Sequence, residues 1–252
     1  MKKVSYVVML LMLTVGIMAQ EEEMKQKFIE ETRVEAPVFI GETNLNDADR
    51  QNFSSHLQEE LTYLSELDYL GKEGIVAIDF VIETDGSVTN VMVSNSVSKT
   101  IDEAVLKAVT NSSNMWKAGK INGQENAMDK TIYVKFDIPG NASHNEQARE
   151  NLNLAIKQVS DIDKLENKDI DAAAKTKKTA RKAKSAQTYL EYAEQYKPND
   201  LSITYWQARV YELQGNNDQK EQKLDQYLEL ARHHDLEKSL EQDILMAVIS
   251  FK

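Results

Sequence analysis

Four histidines and no cysteine are what the 252-residue chain offers for imidazole and thiol chemistry. The missing cysteine removes thiol nucleophiles, zinc ribbons, iron–sulfur clusters, disulfide frameworks and the attachment point of a lipoprotein anchor together. His233 and His234 are adjacent, so on a helix they point roughly 100° apart and cannot share a metal as an i, i+4 pair does; they are read as surface residues. His56 and His144 have no ligand-spaced partner. No Gly-x-Ser-x-Gly elbow, phosphate loop, dinucleotide fingerprint or His-Glu-x-x-His pair occurs. Asp79 falls on a strand pattern and Asp85 in the turn behind it, and the turn role accounts for the second. The expectation is a protein that is not an enzyme and carries no cofactor and no metal, a carboxylate-based enzyme being the one catalytic class left open. Trp116 and Trp206 are read as packing residues.

Charge narrows the partners. Lys and Arg number 30 against 41 Asp and Glu, a net charge of -11, which argues against binding nucleic acid through the overall field. The one strong positive cluster is Lys175, Lys177, Lys178, Arg181, Lys182 and Lys184. It is interleaved with alanines and has no aromatics on which bases could stack. It reads as a solvated helix face, paired in part with the acidic residues between Asp161 and Asp171. With 41% hydrophobic and 28% charged residues, a packed core is expected and wholesale disorder is not.

The elements that must position these residues begin with an export signal. Lys2 and Lys3 precede an apolar run from Val4 to Ala19, and Gln20 with Glu21, Glu22 and Glu23 follows a small residue at the expected cut. Sixteen residues at about 1.5 Å each reach roughly 24 Å, short of the ~30 Å bilayer core, so cleavage is favoured over a retained anchor. Segment 1–19 is thus read as a signal peptide and 20–45 as a lead-in. The expected place is the periplasm, or the inner membrane if the signal stays. Membrane association is then expected only through partners or through that uncleaved segment.

Residues 46–139 read as a small α+β unit. Phe53, Leu57, Leu61 and Leu64 step at helical spacing. Val76, Ile78, Phe80 and Ile82 alternate with their neighbours, Glu83 to Ser87 supplies a turn, and Val88 to Ser94 alternates again, which makes a hairpin. Thr100-Ile101-Asp102-Glu103 has capping-box form ahead of a short helix faced by Ile101, Val105, Ala108 and Val109. After Trp116 and a turn around Gly119 to Gly123, Ile132, Val134, Phe136 and Ile138 form a third strand ending at Pro139. The fold class is α+β: a three-stranded antiparallel sheet with two helices, whose edges must be covered or used.

The run Gly74 to Ile82, then Asp85-Gly86-Ser87-Val88 and Val91 to Ser94, resembles the strand-turn-strand core of TonB C-terminal domains. The helix Ile101 to Val109, Trp116 with Gly119, and the closing Tyr133-Val134-Lys135-Phe136 resemble it too, as does the lead-in Pro37-Val38-Phe39-Ile40-Gly41 of Bacteroidetes-type members. Two positions depart from the family pattern: Leu64 stands where a proline commonly follows Tyr63, and Ala118 replaces the proline of the Trp-x-Pro-Gly turn. The resemblance implies protein binding by strand addition, in which an extended segment of a TonB-dependent outer-membrane receptor pairs with the last strand. In this sequence that strand is Lys130, Thr131, Ile132, Tyr133, Val134, Lys135 and Phe136, with Tyr63 and Leu64 as loop contacts. Main-chain bonds would supply affinity and alternate side chains selectivity. Energy transducers usually have a proline-rich span as well, and the three prolines here, Pro37, Pro139 and Pro198, are far apart.

Residues 140–252 read as helical. Leu152, Ala155, Val159 and Ile162, then Ile203, Trp206, Val210 and Leu213, then Leu236, Leu240, Ile244 and Val248 each follow helical spacing. Ala186, Leu190, Ala193 and Pro198, followed by Ala208, Tyr211 and Gly215, resemble a degenerate tetratricopeptide repeat, with Lys220 standing where a small residue is usual; a plain helical bundle is the other reading. Two functions stay open: an envelope protein that binds a receptor segment or another envelope protein, and a secreted repeat-based scaffold in which the α+β unit only stabilises the assembly.

Overall fold

The structure, a computed structural model, describes residues 33–41, 52–66, 72–237 and 245–250. The expected signal 1–19, most of the lead-in, and Leu240 and Ile244 lie outside the described residues. Among the described residues no helix is long and apolar enough to cross a membrane.

Alternating apolar positions bury themselves on one face only when neighbouring strands align them, and here they do. β3 (Gly74–Ile82) pairs antiparallel with β8 (Met128–Asp137), which sets Val76 opposite Val134 and Ile78 opposite Ile132. All four are fully buried. β4 (Val88–Asn95) flanks β3 on its other side through the hairpin. Its turn is built as expected: the Gly86 N–H donates to the Glu83 carbonyl at 3.0 Å, and Asp85 Oδ1 accepts from the Ser87 N–H at 2.9 Å. Gly86 has φ +83, and a Cβ there would stand 2.2 Å from the Trp116 carbonyl oxygen, so both the turn and the close approach require glycine.

One face of this sheet is covered by α1 (Phe53–Leu61) and α2 (Lys99–Asn111). α1 is capped by Asn52, whose Oδ1 accepts from the Ser55 N–H at 2.8 Å, and it buries Phe53, Leu57 and Leu61. α2 begins earlier than the capping-box reading placed it. Its N-cap is Ser98, and the buried Asp102 carboxylate reaches back to the N–H groups of Val97 and Ser98 and the Ser96 hydroxyl. A full negative charge on those first donors suits the helix dipole better than a neutral Thr100 hydroxyl would. Phe39, Phe53, Phe80 and Trp116 cluster at the end of this core, and the Trp116 Nε1–H donates to Ser112 Oγ at 3.0 Å.

Short strands close that end. β2 (Val38–Phe39) pairs with β5 (Trp116–Lys117), which ties the lead-in to the core. β1 (Val34–Glu35), β6 (Gly119–Ile121) and β7 (Gln124–Asn126) form a second small sheet. Its two-residue turn, Asn122-Gly123, has both φ values positive, as a type I′ hairpin requires.

Four helices follow: α3 (His144–Glu166), α4 (Ala172–Tyr196), α5 (Leu201–Gln214) and α6 (Asn217–Glu237). A complete capping box starts α3, between Ser143 and Glu146. Ala155 and Val159 of α3, Ala186, Leu190 and Ala193 of α4, and Ile203 and Val210 of α5 share one buried cluster. The helical unit meets the second face and end of the sheet. The Gln195 side-chain amide donates to the Glu73 carbonyl at 2.9 Å, and that of Asn199 to the Tyr133 hydroxyl at 2.8 Å. Gly74 sits at this contact with φ +150, and a Cβ there would fall 2.9 Å from Gln195 Cγ and from Val97 Cγ2.

The α+β class and the helical second part agree with the sequence reading, but the sheet holds one strand more than expected. β9 (Leu245–Ser250) pairs parallel with β8, giving the order β4-β3-β8-β9. Val248 therefore lies on a strand, not on the helical face read from Leu236, Leu240, Ile244 and Val248. Parallel neighbours need a long crossover, and the whole helical unit supplies it.

Candidate partner-strand site

β8 alternates along its length. Ile132, Val134 and Phe136 point into the core and are fully buried, while Thr131, Tyr133, Lys135 and Asp137 lie on the opposite face. Each exposed-face residue has a local role. The Thr131 hydroxyl donates to Asp79 Oδ1 at 2.7 Å across the β3–β8 pair, and the Lys135 ammonium donates to Asp137 Oδ2 at 3.0 Å. Lys130 Nζ stands 5.9 Å from the centroid of the Trp116 ring. The backbone of β8 is joined to β3 from Met128 to Phe136, so one side of the strand is spoken for.

The other side was expected to be an open edge, and over half its length it is not. β9 occupies it in the register Tyr133↔Leu245 through Asp137↔Ser250. No strand among the described residues pairs with that side from Met128 to Ile132. The physical reason is in the sequence: Leu-Met-Ala-Val-Ile is apolar and strand-compatible, and an unpaired run of N–H and C=O groups beside a hydrophobic core is a ready template for it. β9 also runs beside α1 and the 3-10 turn Thr62–Glu66. Of the two loop contacts expected in that turn, Tyr63 is 51% exposed, whereas Leu64 is fully buried in the core and presents nothing to a partner. β8 and the Thr62–Glu66 turn, the two segments picked out from sequence, thus both lie beside the chain's own residues 245–250.

Residues 59–138 match the family described as Gram-negative bacterial TonB protein C-terminal. The match spans about a third of the chain and takes in the Tyr63 turn, β3, β4, α2 and β8. The chain is also similar to the solution NMR structure of the Helicobacter pylori TonB C-terminal domain, at 19% identity and a TM-score of 0.25, covering 37% of this chain and 83% of that one. No curated protein matches the chain.

Beside the matched segment lies a cluster that sequence spacing did not show. Glu73 precedes β3, Asp137 ends β8 and His144 opens α3, and one ligand atom of each lies within 4.8 Å of the others. His144, read as lacking partners in sequence, finds them through the fold: its Nε2 is 3.5 Å from Asp137 Oδ1. Its ring packs edge-on against Tyr196 at 5.3 Å. Burial, then the Lys135 charge, hold the imidazole below its ordinary pKa against the pull of Asp137, Glu73 and the Phe136 carbonyl. Burial, with the Glu73 charge behind it, pushes the Tyr196 phenol up. Among the described residues this is the set that could hold a metal. His56 packs on Phe39 and Phe53, and the side chains of His233 and His234 lie outside the described ones.

Within the basic cluster of α4, Lys182 donates to Asp161 Oδ2 at 2.9 Å and to Gln158 Oε1 at 3.3 Å. The Lys182 hydrogen bond is also the main reason the Asp161 carboxyl lies below the usual carboxylate range. Of the residues of the repeat-like spacing, Ala186, Leu190, Ala193 and Ala208 are buried in the helical unit, while Pro198, Tyr211 and Gly215 are not.

Proposed function

We propose that this chain is a protein-binding module of the cell envelope that takes an extended segment of a partner along β8. The observation that carries the reading is β9: the β8 edge accepts a parallel added strand, because the chain itself adds one there. A partner segment of similar apolar character would compete for Tyr133–Asp137 and start on the side of Met128 to Ile132 away from β3, with which no strand among the described residues pairs. At about 0.5–1.5 kcal/mol net per main-chain hydrogen bond, a five-residue ladder is worth a few kcal/mol, so an internal strand is a strong but displaceable competitor. The family match over 59–138 and the apolar stretch Val4–Ala19 support an exported protein whose partner is a TonB-dependent receptor segment or another envelope protein. Under this reading residues 46–139 carry the binding and 140–252 the helical, repeat-like part that returns β9 to the sheet.

One feature favours the scaffold reading instead: β9 makes a fourth strand that covers the edge with the chain's own polypeptide. A single comparison separates the two. Receptor-box peptides are titrated against the full chain and against a chain ending at residue 244. Strand addition expects binding to the shorter chain at least about tenfold tighter, as release from an intramolecular competitor dictates. Absence of binding to both, with the shorter chain folded by circular dichroism, overturns strand addition and leaves the scaffold.

A further inference from the structure

We propose that Glu73, Asp137 and His144 form a binding site for a divalent transition cation of the zinc class, at the seam where the sheet meets the helical unit. The geometry starts from His144. Its side chain is 93% buried, and among the described residues neither Nδ1 nor Nε2 makes a hydrogen bond of good geometry. A buried imidazole that reaches no donor or acceptor of good geometry is rare, because each orphaned nitrogen has lost water and gained nothing for it. Two carboxylates stand beside the ring: Asp137 Oδ1 is 3.5 Å from Nε2, and a Glu73 oxygen lies within 4.8 Å of a ring nitrogen. One imidazole nitrogen and two carboxylate oxygens suit zinc, manganese or iron better than calcium or magnesium, which take oxygen alone.

The groups around the three ligands are arranged as outer-shell supports. Glu73 Oε2 accepts from the Asn141 side-chain amide at 3.1 Å, and Oε1 accepts from that of Gln147, so the carboxylate is held in place with lone pairs to spare. Asp137 Oδ2 is taken by the Lys135 ammonium, which leaves Oδ1 for a ligand. Such orienting bonds are the usual second layer of a metal centre. A tetrahedral site with bonds of about 2.1 Å places its ligands roughly 3.4 Å apart; His144 Nε2 and Asp137 Oδ1 already stand 3.5 Å apart, and the remaining separations, all within 4.8 Å, need to close by about 1.4 Å at most. The three ligands belong to three elements, the approach to β3, the end of β8 and the start of α3, and closure draws them together. With three protein ligands, water completes the sphere.

Cobalt(II) titration of the full chain tests the site, since its visible bands report a nitrogen and oxygen environment of low symmetry. Expected is saturation at one cobalt per chain, displacement by zinc, and a rise in melting temperature with zinc. His144→Phe keeps the ring against Tyr196 but has no nitrogen, and Glu73→Gln keeps an acceptor for one amide. Each should weaken binding beyond the roughly tenfold to hundredfold that losing an outer-shell partner costs. His233→Ala with His234→Ala should leave the bands unchanged. The proposal is overturned if the cobalt spectrum survives His144→Phe, if it is lost with His233 and His234 instead, or if the full chain shows no one-to-one binding.

Discussion

At the scale of single residues, the polar side chains that matter most sit at element ends, where backbone donors are otherwise unsatisfied. Asp200 is the clearest case. It caps α5, accepting from the N–H groups of Ser202 at 2.9 Å and Ile203 at 3.2 Å, and it pairs with Lys197 at 2.8 Å. Burial pushes its carboxyl up, but the hydrogen bond from Lys197, with that from Ile203, the Lys197 charge and the Ser202 bond, outweighs burial and holds it below 3.8. Between that depressed value and 3.8 the unfolded chain binds more protons than the folded one, so stability rises with pH through this window. Asp200→Ala should therefore cost about 0.5–2 kcal/mol at neutral pH, as lost caps do, and less once pH falls below the folded value. Urea denaturation at pH 7 and in acid checks both the size and the sign.

At the scale of elements, the strands of the sheet core were legible because burial on one face demands a period of two, and Ile132 to Phe136 has it throughout, Val76 to Ile82 with the single exception of the buried Ala77. Helix faces were legible for the same reason at a different period. Three features were not. The α2 start was misplaced because Thr100-x-x-Glu103 satisfies a local motif, whereas the Asp102 contacts reach back to Ser96 and can be seen only in the fold. β9 was hidden because Val248 fits both a helical step from Ile244 and the apolar run of a strand, and its pairing with β8 joins residues about a hundred positions apart. The Glu73, Asp137 and His144 cluster has no spacing of its own, since three separate elements deliver it. The covered edge makes a prediction at this scale. In a chain ending at residue 244, the amides of Tyr133–Asp137 that β9 covers should exchange with deuterium faster, while those of β3 keep their protection. Unchanged exchange would mean that β9 does not shield the strand in solution.

At the scale of the whole molecule, the described residues join the sheet to the helical unit through the α4 end against Gly74 and Tyr133, through the start of α3 against Glu73 and Asp137, and through β9 in the sheet. The first depends on a missing side chain. Gly74→Ala would press a methyl against Gln195 and Val97 in a backbone conformation that favours glycine, at a cost of about 1–3 kcal/mol. Its expected signature is a loss of concerted melting, with the helical unit and the sheet giving separate transitions in calorimetry. A single transition merely lowered in temperature would show that the remaining contacts, β9 and the α3 start, keep the halves together. The β9 join has a consequence for the order in which the protein is made. Asp137 leaves the ribosome about a hundred residues before its neighbour Ser250. At 5–20 residues per second the nascent sheet spends roughly 5–20 s with a raw margin beside a finished core. During that interval the newborn chain is at its most adhesive, and its solubility depends on what shields it then.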